Sequence, residues 1–269
     1  MIELFNTEFH QQDRRSSKGN QLKFERDGIW YKADYLGYEG LAETVISRLL
    51  RFSSLDPSEY VDYDTEEILY NGQVFTACKS RDFTDGWQLI TLERLLSRVY
   101  GRGLHQVVYA IEDHTQRLKT LVELVERATG LNDFGPYMAK TLTVDSLFLN
   151  EDRHSHNLAV LTKDLKEFRL CPLFDHGASL LSDTRMDYPA DRDPLQMIPS
   201  VKPKTFCESF DEQLEIAEKL YGQQIRFSFS FNDVKPIVDQ AVIYSPEIRQ
   251  RVIDIIMEQR RRYNYLFRS

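Results

Sequence analysis

The chain has 269 residues, 42% of them hydrophobic and 28% charged, which is the composition of a globular protein with a sizeable core and not of a disordered chain. The formal net charge of -8 disfavours non-specific nucleic-acid binding, because the phosphate backbone attracts basic surfaces. No segment has the apolar length of a membrane span and the first residues do not form a signal peptide, so we expect a cytoplasmic protein.

The first part of the chain predicts a small β-rich region with one helix. Residues 2–9 are compatible with a first strand, and a polar loop follows at residues 14–20. Residues 22–33 predict a hairpin, because an Asp-Gly step between two strand-forming runs is a strong turn signal. Apolar residues at helical spacing then predict a helix over residues 38–50.

Two further strands are indicated before the chain turns helical. Residues 62–67 are acidic and indicate a solvated edge, whereas residues 74–78 and 87–92 have the composition of strands. The second of these strands would lead out of the small β-rich region.

From residue 95 onward the pattern is largely helical. Apolar residues between 107 and 125 indicate one long or interrupted helix that ends near Gly130, where a glycine is expected. A second helix, over residues 138–148, leads directly to a polar motif. Near the end of the chain, Ser245-Pro246 is typical of a helix start.

Two polar motifs flank a predicted β-hairpin. The first, at residues 150–157, has Asp152 and Asn157 at the spacing D-x-x-x-x-N, and the second, at residues 173–177, contains Asp175. In phosphoryl transfer, an Asp at this spacing acts on the accepting hydroxyl, while amide and carboxylate oxygens hold Mg²⁺. The motifs therefore predict that Asp152 orients or deprotonates a hydroxyl and that Asn157 and Asp175 bind the metal.

A lysine and a glutamate upstream stand in the order that kinases use. Lys32 lies on a predicted strand and Glu43 lies early in the following helix. In protein kinases, a strand lysine pairs with the nucleotide phosphates and with a helix glutamate that positions it. Taken singly, such residues are usually solvated surface groups. Their order relative to Asp152 and Asn157 is what assigns these roles.

These residues resemble the HipA-like serine/threonine kinases over residues 14–180, and the D-R-H-x-x-N core is shared with phosphoinositide kinases. The matching residues are Asn150, Asp152, His154 and Asn157, then Leu173-Phe174-Asp175-His176-Gly177, with Lys32 and Glu43 upstream. The resemblance implies an α+β, two-lobed protein-kinase-like fold. Its small, antiparallel β-rich N-lobe with one helix would span residues 1–92, and its mainly helical C-lobe residues 93–269.

The resemblance also implies an activity. ATP and Mg²⁺ would be the cofactors, Asp152 the catalytic base, Asn157 and Asp175 the metal ligands, and Lys32 a phosphate contact. Known members phosphorylate serine or threonine in proteins, and some are toxins held by an antitoxin. We therefore expect a protein or peptide substrate, and an antitoxin-like or regulatory protein is a candidate partner.

Further nucleotide contacts are expected in two places. Backbone amides and a cation in the polar loop would cradle phosphate, and a serine there is a candidate for autophosphorylation. The segment around residue 90 would be either a hinge that offers backbone groups to adenine or a core strand running into a helix. The residues are Ser16, Ser17, Lys18 and Gly19 in the loop, and Ile90 and Leu92 in the hinge.

Three other functions remain open. In a metal-dependent hydrolase, His154 and His156 would join nearby carboxylates and His176 around zinc or a di-metal centre. The residues after this pair do not continue a familiar hydrolase motif, so we interpret His154 as a structural residue of the catalytic loop and His156 and His176 as peripheral. A phosphoinositide-type lipid kinase is disfavoured by the lack of a polybasic segment. A regulatory pseudokinase-like module would be expected to lack a catalytic residue.

The cysteines carry no motif. Cys78, Cys171 and Cys207 are scattered and lack C-x-x-C spacing. This argues against a disulfide framework or a thiolate zinc site, and we expect buried, reduced thiols.

Overall fold

The computed structural model describes residues 1–9, 21–154 and 157–267. The strands are Ile2–Glu3 (β1), Lys23–Arg26 (β2), Ile29–Ala33 (β3), Asp64–Tyr70 (β4), Gln73–Arg81 (β5), Gln88–Thr91 (β6), Ala159–Lys163 (β7) and Glu167–Leu170 (β8). The helices are Glu39–Leu50 (α1), Leu92–Tyr100 (α2), Leu104–Val107 (α3), His114–Thr129 (α4), Phe134–Phe148 (α5), Pro194–Met197 (α6), Phe210–Tyr221 (α7), Phe231–Asp239 (α8) and Pro246–Arg262 (α9).

The chain divides into two compact units and has the mixed α+β composition expected from the sequence. The first unit comprises Met1–Phe83, Asp175–Val201 and Arg226–Ser269, and the second comprises Thr84–Phe174 and Lys202–Ile225. The lobe boundary at residue 92 stays a prediction of the sequence.

A five-stranded sheet forms the centre of the first unit. Its strand order is β1-β4-β5-β3-β2, and every pairing is antiparallel except that of β1 with β4. The predicted hairpin is confirmed as β2 and β3, joined at Asp27 and Gly28, which both have positive φ (54° and 75°). This backbone matches the twist of a two-residue hairpin, which is why an Asp-Gly step suits it.

One expectation about this sheet was wrong. The first strand is only Ile2–Glu3, and Asn6–Glu8 form a 3₁₀ turn instead. The acidic stretch leads into β4, and β1 pairs with that strand at Ile68 and Leu69, beyond the acidic residues; Asp62 and Asp64 are exposed, as expected for a solvated edge.

Glu66 on β4 pairs with Lys79 at 3.0 Å and with the N-terminal amine at 3.0 Å. Ile68, two positions further along the same face of the strand, is fully buried. The two cations offset the negative charge of Glu66 beside this apolar core.

Helix α1 packs closely against this sheet, as its apolar spacing predicted. Leu41, Val45 and Ile46 are fully buried. At Gly40, a Cβ atom would lie 2.7 Å from the carbonyl carbon of Ala77 and 2.8 Å from the backbone nitrogen of Cys78 on β5. A glycine is therefore required for the helix start to approach the strand.

The second unit contains the smaller sheet and most of the central helices. Its strand order is β6-β7-β8, and the predicted hairpin is confirmed as β7 and β8. The predicted helix over 107–125 is interrupted, and its main part, α4, ends at Gly130 with φ 76°. Helix α5 ends at Leu149, also at positive φ, and leads into the first polar motif.

The last long helix belongs to the first unit. Ser245 caps α9 by accepting a hydrogen bond from the backbone N–H of Ile248, and Pro246 occupies the first turn, as predicted. None of the helices in the described parts of the chain combines the length and the apolar character needed to cross a membrane.

Replacing Gly40 with Ala should destabilise the protein by about 1–3 kcal/mol, because the new methyl group meets backbone atoms that cannot rotate away. Urea unfolding measures the effect. Gly135→Ala on α5 is the matched control, since its methyl group would meet the ring of Tyr221, a side chain that can turn. An increase in stability for Gly40→Ala, the usual result at an open helical site, would contradict the close packing.

Candidate active site

A largely buried lysine, with its side chain 13% exposed, is held by two carboxylates in the first unit. Nζ of Lys32, on β3, lies 2.8 Å from Oε1 of Glu43 on α1 and 3.0 Å from Oδ1 of Asp175. Glu43 is 1% exposed, and its second oxygen accepts the backbone N–H of His176 at 2.7 Å. The structure thus brings together three residues that the sequence placed in one site although they lie up to 143 positions apart.

Electrostatics keep this lysine charged. Burial alone would lower the pKa of Lys32, but Asp175 and then Glu43 raise that pKa well above its ordinary value. The ring of Tyr63 lies 5.3 Å from Nζ, and burial together with Glu43 raises the pKa of its hydroxyl. An ammonium group with a raised pKa, flanked by acidic groups, suits a ligand that carries both phosphate and a divalent cation.

Lys23 is a residue of this cluster that the sequence analysis missed. It stands directly opposite Lys32 in the β2–β3 pairing, so both side chains are on the same face. Burial lowers the pKa of Lys23, and the carboxylate of Asp175 opposes that effect. The register of the predicted hairpin, which places Lys23 opposite Lys32, was the signal that would have identified it.

Asp175 reaches Lys32 from a left-handed backbone conformation. Its φ is 63°, a region that few residues other than glycine adopt, although Asp tolerates it better than most. Such strain at a polar residue often marks a functional site. Its neighbour His176 is 1% exposed, and the expectation that its imidazole is peripheral to the chemistry stays a prediction.

The first motif forms a compact loop in the second unit. Asp152 is 6% exposed. Nδ2 of Asn157 donates to the backbone carbonyl of Asp152 at 2.9 Å, and the backbone N–H of Asn157 donates to the backbone carbonyl of His154 at 2.8 Å. Nε2 of His154 lies 3.7 Å from Oδ2 of Asp152, beyond hydrogen-bond range. The structural role expected for the His154 side chain stays a prediction.

Arg153 ties this loop to its surroundings. It is 2% exposed and makes a two-pronged contact with the fully buried carboxylate of Asp145 on α5, at 3.0 Å from both Nε and Nη2. Nη1 donates to the carbonyl of Phe174 at 2.6 Å, and Thr205 donates to the carbonyl of Arg153 at 2.8 Å. Because Phe174 directly precedes Asp175, the same guanidinium holds the peptide that leads into the second motif.

Lys204 contacts the proposed catalytic base. Its Nζ lies 3.2 Å from Oδ1 of Asp152, and its side chain is 44% exposed. No sequence pattern gave a role to Lys204, to Arg153 or to Asp145. Within the sequence, the one available sign was a charged residue, Asp145, in the otherwise uncharged second half of α5.

Five of the remaining candidate residues lie outside the described residues: Ser16, Ser17, Lys18, Gly19 and His156. Ile90 is on β6 opposite Val160, and the backbone N–H of Leu92 donates to the carbonyl of Leu158 at 2.8 Å. The chain therefore runs from a strand straight into α2 here, and recognition of adenine by this segment stays a prediction.

Comparison with known proteins supports the fold. No protein-family model matches this sequence, and no curated protein is significantly similar to it. The crystal structure of a Helicobacter pylori proinflammatory kinase, CtkA, is similar with a TM-score of 0.63 and 15% identity, over 98% of this chain and 96% of that one. The match confirms the kinase-like fold that the sequence resemblance implied.

A weaker likeness is to Shewanella oneidensis MR-1 HipA, solved with HipB and operator DNA. Its TM-score is 0.43 and its identity 11%, over 94% of this chain and 63% of that one.

Replacing Asp145 with Ala should cost about 3–5 kcal/mol of stability, because it leaves the Arg153 guanidinium buried without its carboxylate. Thermal or denaturant unfolding checks this value. Asp62→Ala is the control, since Asp62 pairs with Arg51 where both side chains are more than half exposed, and such pairs contribute about 0–1 kcal/mol. Equal losses in the two variants would show that Arg153 is not organised by Asp145.

Proposed function

We propose that this protein is a kinase that uses ATP and Mg²⁺ and transfers the γ-phosphate to a serine or threonine hydroxyl of a protein or peptide. The contact of Lys32 with both Glu43 and Asp175 carries the proposal. Kinases require a strand lysine held by a helix glutamate, next to an Asp that binds the metal. The kinase-like fold is consistent with this assignment.

The donor atoms of the motifs suit magnesium. Asp175 offers a carboxylate, and because Nδ2 of Asn157 is engaged by the carbonyl of Asp152, its amide oxygen is the atom left for a cation. Both are hard oxygen donors of the kind that Mg²⁺ prefers, and the bound ion would neutralise phosphate charge. In this proposal, Lys32 contacts the phosphates, with Ser16, Ser17, Lys18 and Gly19 covering them.

Asp152 and Lys204 would act at the accepting hydroxyl. A carboxylate oxygen of Asp152 orients the hydroxyl and receives its proton as the new oxygen–phosphorus bond forms. The ammonium of Lys204, 3.2 Å from that carboxylate, would hold Asp152 in place and offset negative charge on the transferred group.

The two-lobed division at residue 92, a cytoplasmic location and an antitoxin-like or regulatory partner belong to the same proposal. The lobe division and the partner follow from the sequence resemblance, and the location follows from the sequence features that indicated a cytoplasmic protein. Two alternatives, transfer of phosphate to a lipid and a binding role without catalysis, are distinguished from the proposal by assays of phosphate transfer.

Incubation of the protein with Mg-ATP, followed by intact-mass measurement, tests the proposal directly. The wild type should gain one or more phosphates, and Asp175→Asn should gain none because the metal is held less well. Peptide mapping then shows whether Ser16 or Ser17 is modified. If the wild type gains no phosphate, transfer to a panel of peptides and phosphoinositides decides between action in trans and no kinase activity.

Replacing Asp152 with Ala should lower the transfer rate by roughly 10²–10⁴-fold, the usual contribution of a general base, while ATP affinity stays close to that of the wild type. Calorimetry measures ATP affinity, and a radiolabel assay measures the rate. Full activity in this variant would show that Asp152 is not the catalytic base.

Replacing Lys204 with Ala should lower kcat by at least about 10-fold with little change in KM for ATP, because a cation beside Asp152 is lost. Lys202→Ala is the matched control, since Lys202 pairs with exposed Glu208 in the same segment. Partial recovery in Lys204→Arg would support a charge-based role. A parallel loss in the Lys202 variant would point to general disturbance of the segment.

A further inference from the structure

A second cluster of chemically reactive side chains lies in the second unit, apart from the residues assigned to phosphoryl transfer. His114 is the first residue of α4, Glu212 lies in the first turn of α7, and Cys207 precedes α7 by three positions. One ligand atom from each residue lies within 4.8 Å of the other two. The cysteine is 7% exposed, whereas the imidazole and the carboxylate are 33% and 48% exposed.

The spacing is close to that of a tetrahedral metal centre. Zinc bonds of about 2.0–2.3 Å to nitrogen, oxygen and sulfur place neighbouring ligand atoms roughly 3.3–3.7 Å apart. Without a metal, Nδ1 of His114 and Oε1 of Glu212 are in hydrogen-bond contact at 2.7 Å, and the thiol of Cys207 donates to the carbonyl of Ser209. Binding an ion would move Nδ1 and Oε1 from 2.7 Å to roughly 3.3–3.7 Å apart, while the buried sulfur would provide the inner ligand.

The donor types select the class of metal. A thiolate and an imidazole are soft or borderline ligands that suit zinc and similar transition metals, whereas magnesium and calcium favour oxygen alone. On binding, the sulfur–metal bond replaces the S–H bond, and the proton leaves to solvent.

We propose that His114, Cys207 and Glu212 bind one zinc-like transition-metal ion, with a water molecule as fourth ligand. This site stands independently of the proposed kinase activity.

The position of the site indicates a structural role. Arg117 of α4 already donates to the carbonyl of Phe206, so α4 and the segment before α7 are in contact. The same segment carries Thr205 and Lys204, which contact Arg153 and Asp152. A metal at Cys207 would fasten α4 to this segment and hold it beside the catalytic loop.

Cobalt(II) titration of the reduced, chelator-treated full-length protein tests the proposal. The wild type should bind one equivalent with the absorption of a thiolate–cobalt charge-transfer band, and zinc should displace it. Cys207→Ser should lose that band, and His114→Ala and Glu212→Gln should weaken binding by more than the roughly 10–100-fold that loss of an outer partner of a ligand costs. Zinc should raise the melting temperature of the wild type and not that of these variants.

Two controls make the result specific. Cys171→Ala removes another buried cysteine of the same unit, and Glu215→Gln removes another exposed carboxylate of α7. Both should retain the cobalt band and the zinc-dependent shift, with circular dichroism verifying that every variant folds. No thiolate band in the wild type, or its persistence in Cys207→Ser, would overturn the site. If the titration supports the site, zinc found in the purified protein would report on this cluster and would not by itself indicate a hydrolase.

Discussion

A buried ammonium group needs compensating charge, and this requirement organises the first unit. Lys32 is supplied with two carboxylates from distant parts of the chain, Glu43 on a helix and Asp175 in a loop. Glu43 in turn accepts the backbone N–H of His176, so the loop is bonded at two neighbouring positions. The left-handed backbone of Asp175 is maintained because these contacts offset its cost.

The loop of the first motif, in the second unit, is built around the opposite arrangement, a buried carboxylate with a guanidinium. Asp145 lies in the otherwise uncharged second half of α5, and the guanidinium of Arg153 donates to it and to two backbone carbonyls. Such a pair contributes little net stability, since desolvation opposes the attraction. A displaced loop would leave a buried charge without its partner, so other conformations of the loop are strongly disfavoured. We infer that the value of the pair lies in holding Asp152 and Asn157 in one conformation.

The segment from Lys202 to Cys207 contributes both to the loop of the first motif and to the proposed metal site. Lys204 and Thr205 contact the loop of the first motif, and Cys207 belongs to the cluster with His114 and Glu212. Three positions along the chain therefore separate the cation beside Asp152 from the cluster that joins α4 to α7.

Much of the local structure was determined by the sequence alone. The Asp27-Gly28 turn, the Gly130 helix end and the Ser245 cap depend on the conformations of a few neighbouring residues, so their patterns are readable without a fold. The order of Lys32, Glu43 and the two polar motifs also indicated a kinase-like fold. The sequence did not predict the acidic strand β4, because a strand with several carboxylates is stabilised here by Lys79 of β5 and by the N-terminal amine, which both pair with Glu66.

Only the tertiary structure decided which distant residues meet. Lys204 and Asp152 are 52 positions apart, and His114 and Glu212 are 98 apart, so no short spacing could reveal either contact. The cysteines lack a zinc motif for the same reason, since the partners of Cys207 are provided by packing of α4 and α7. Local patterns are encoded by neighbouring residues, whereas charge pairs and metal ligands are selected by how helices and strands pack.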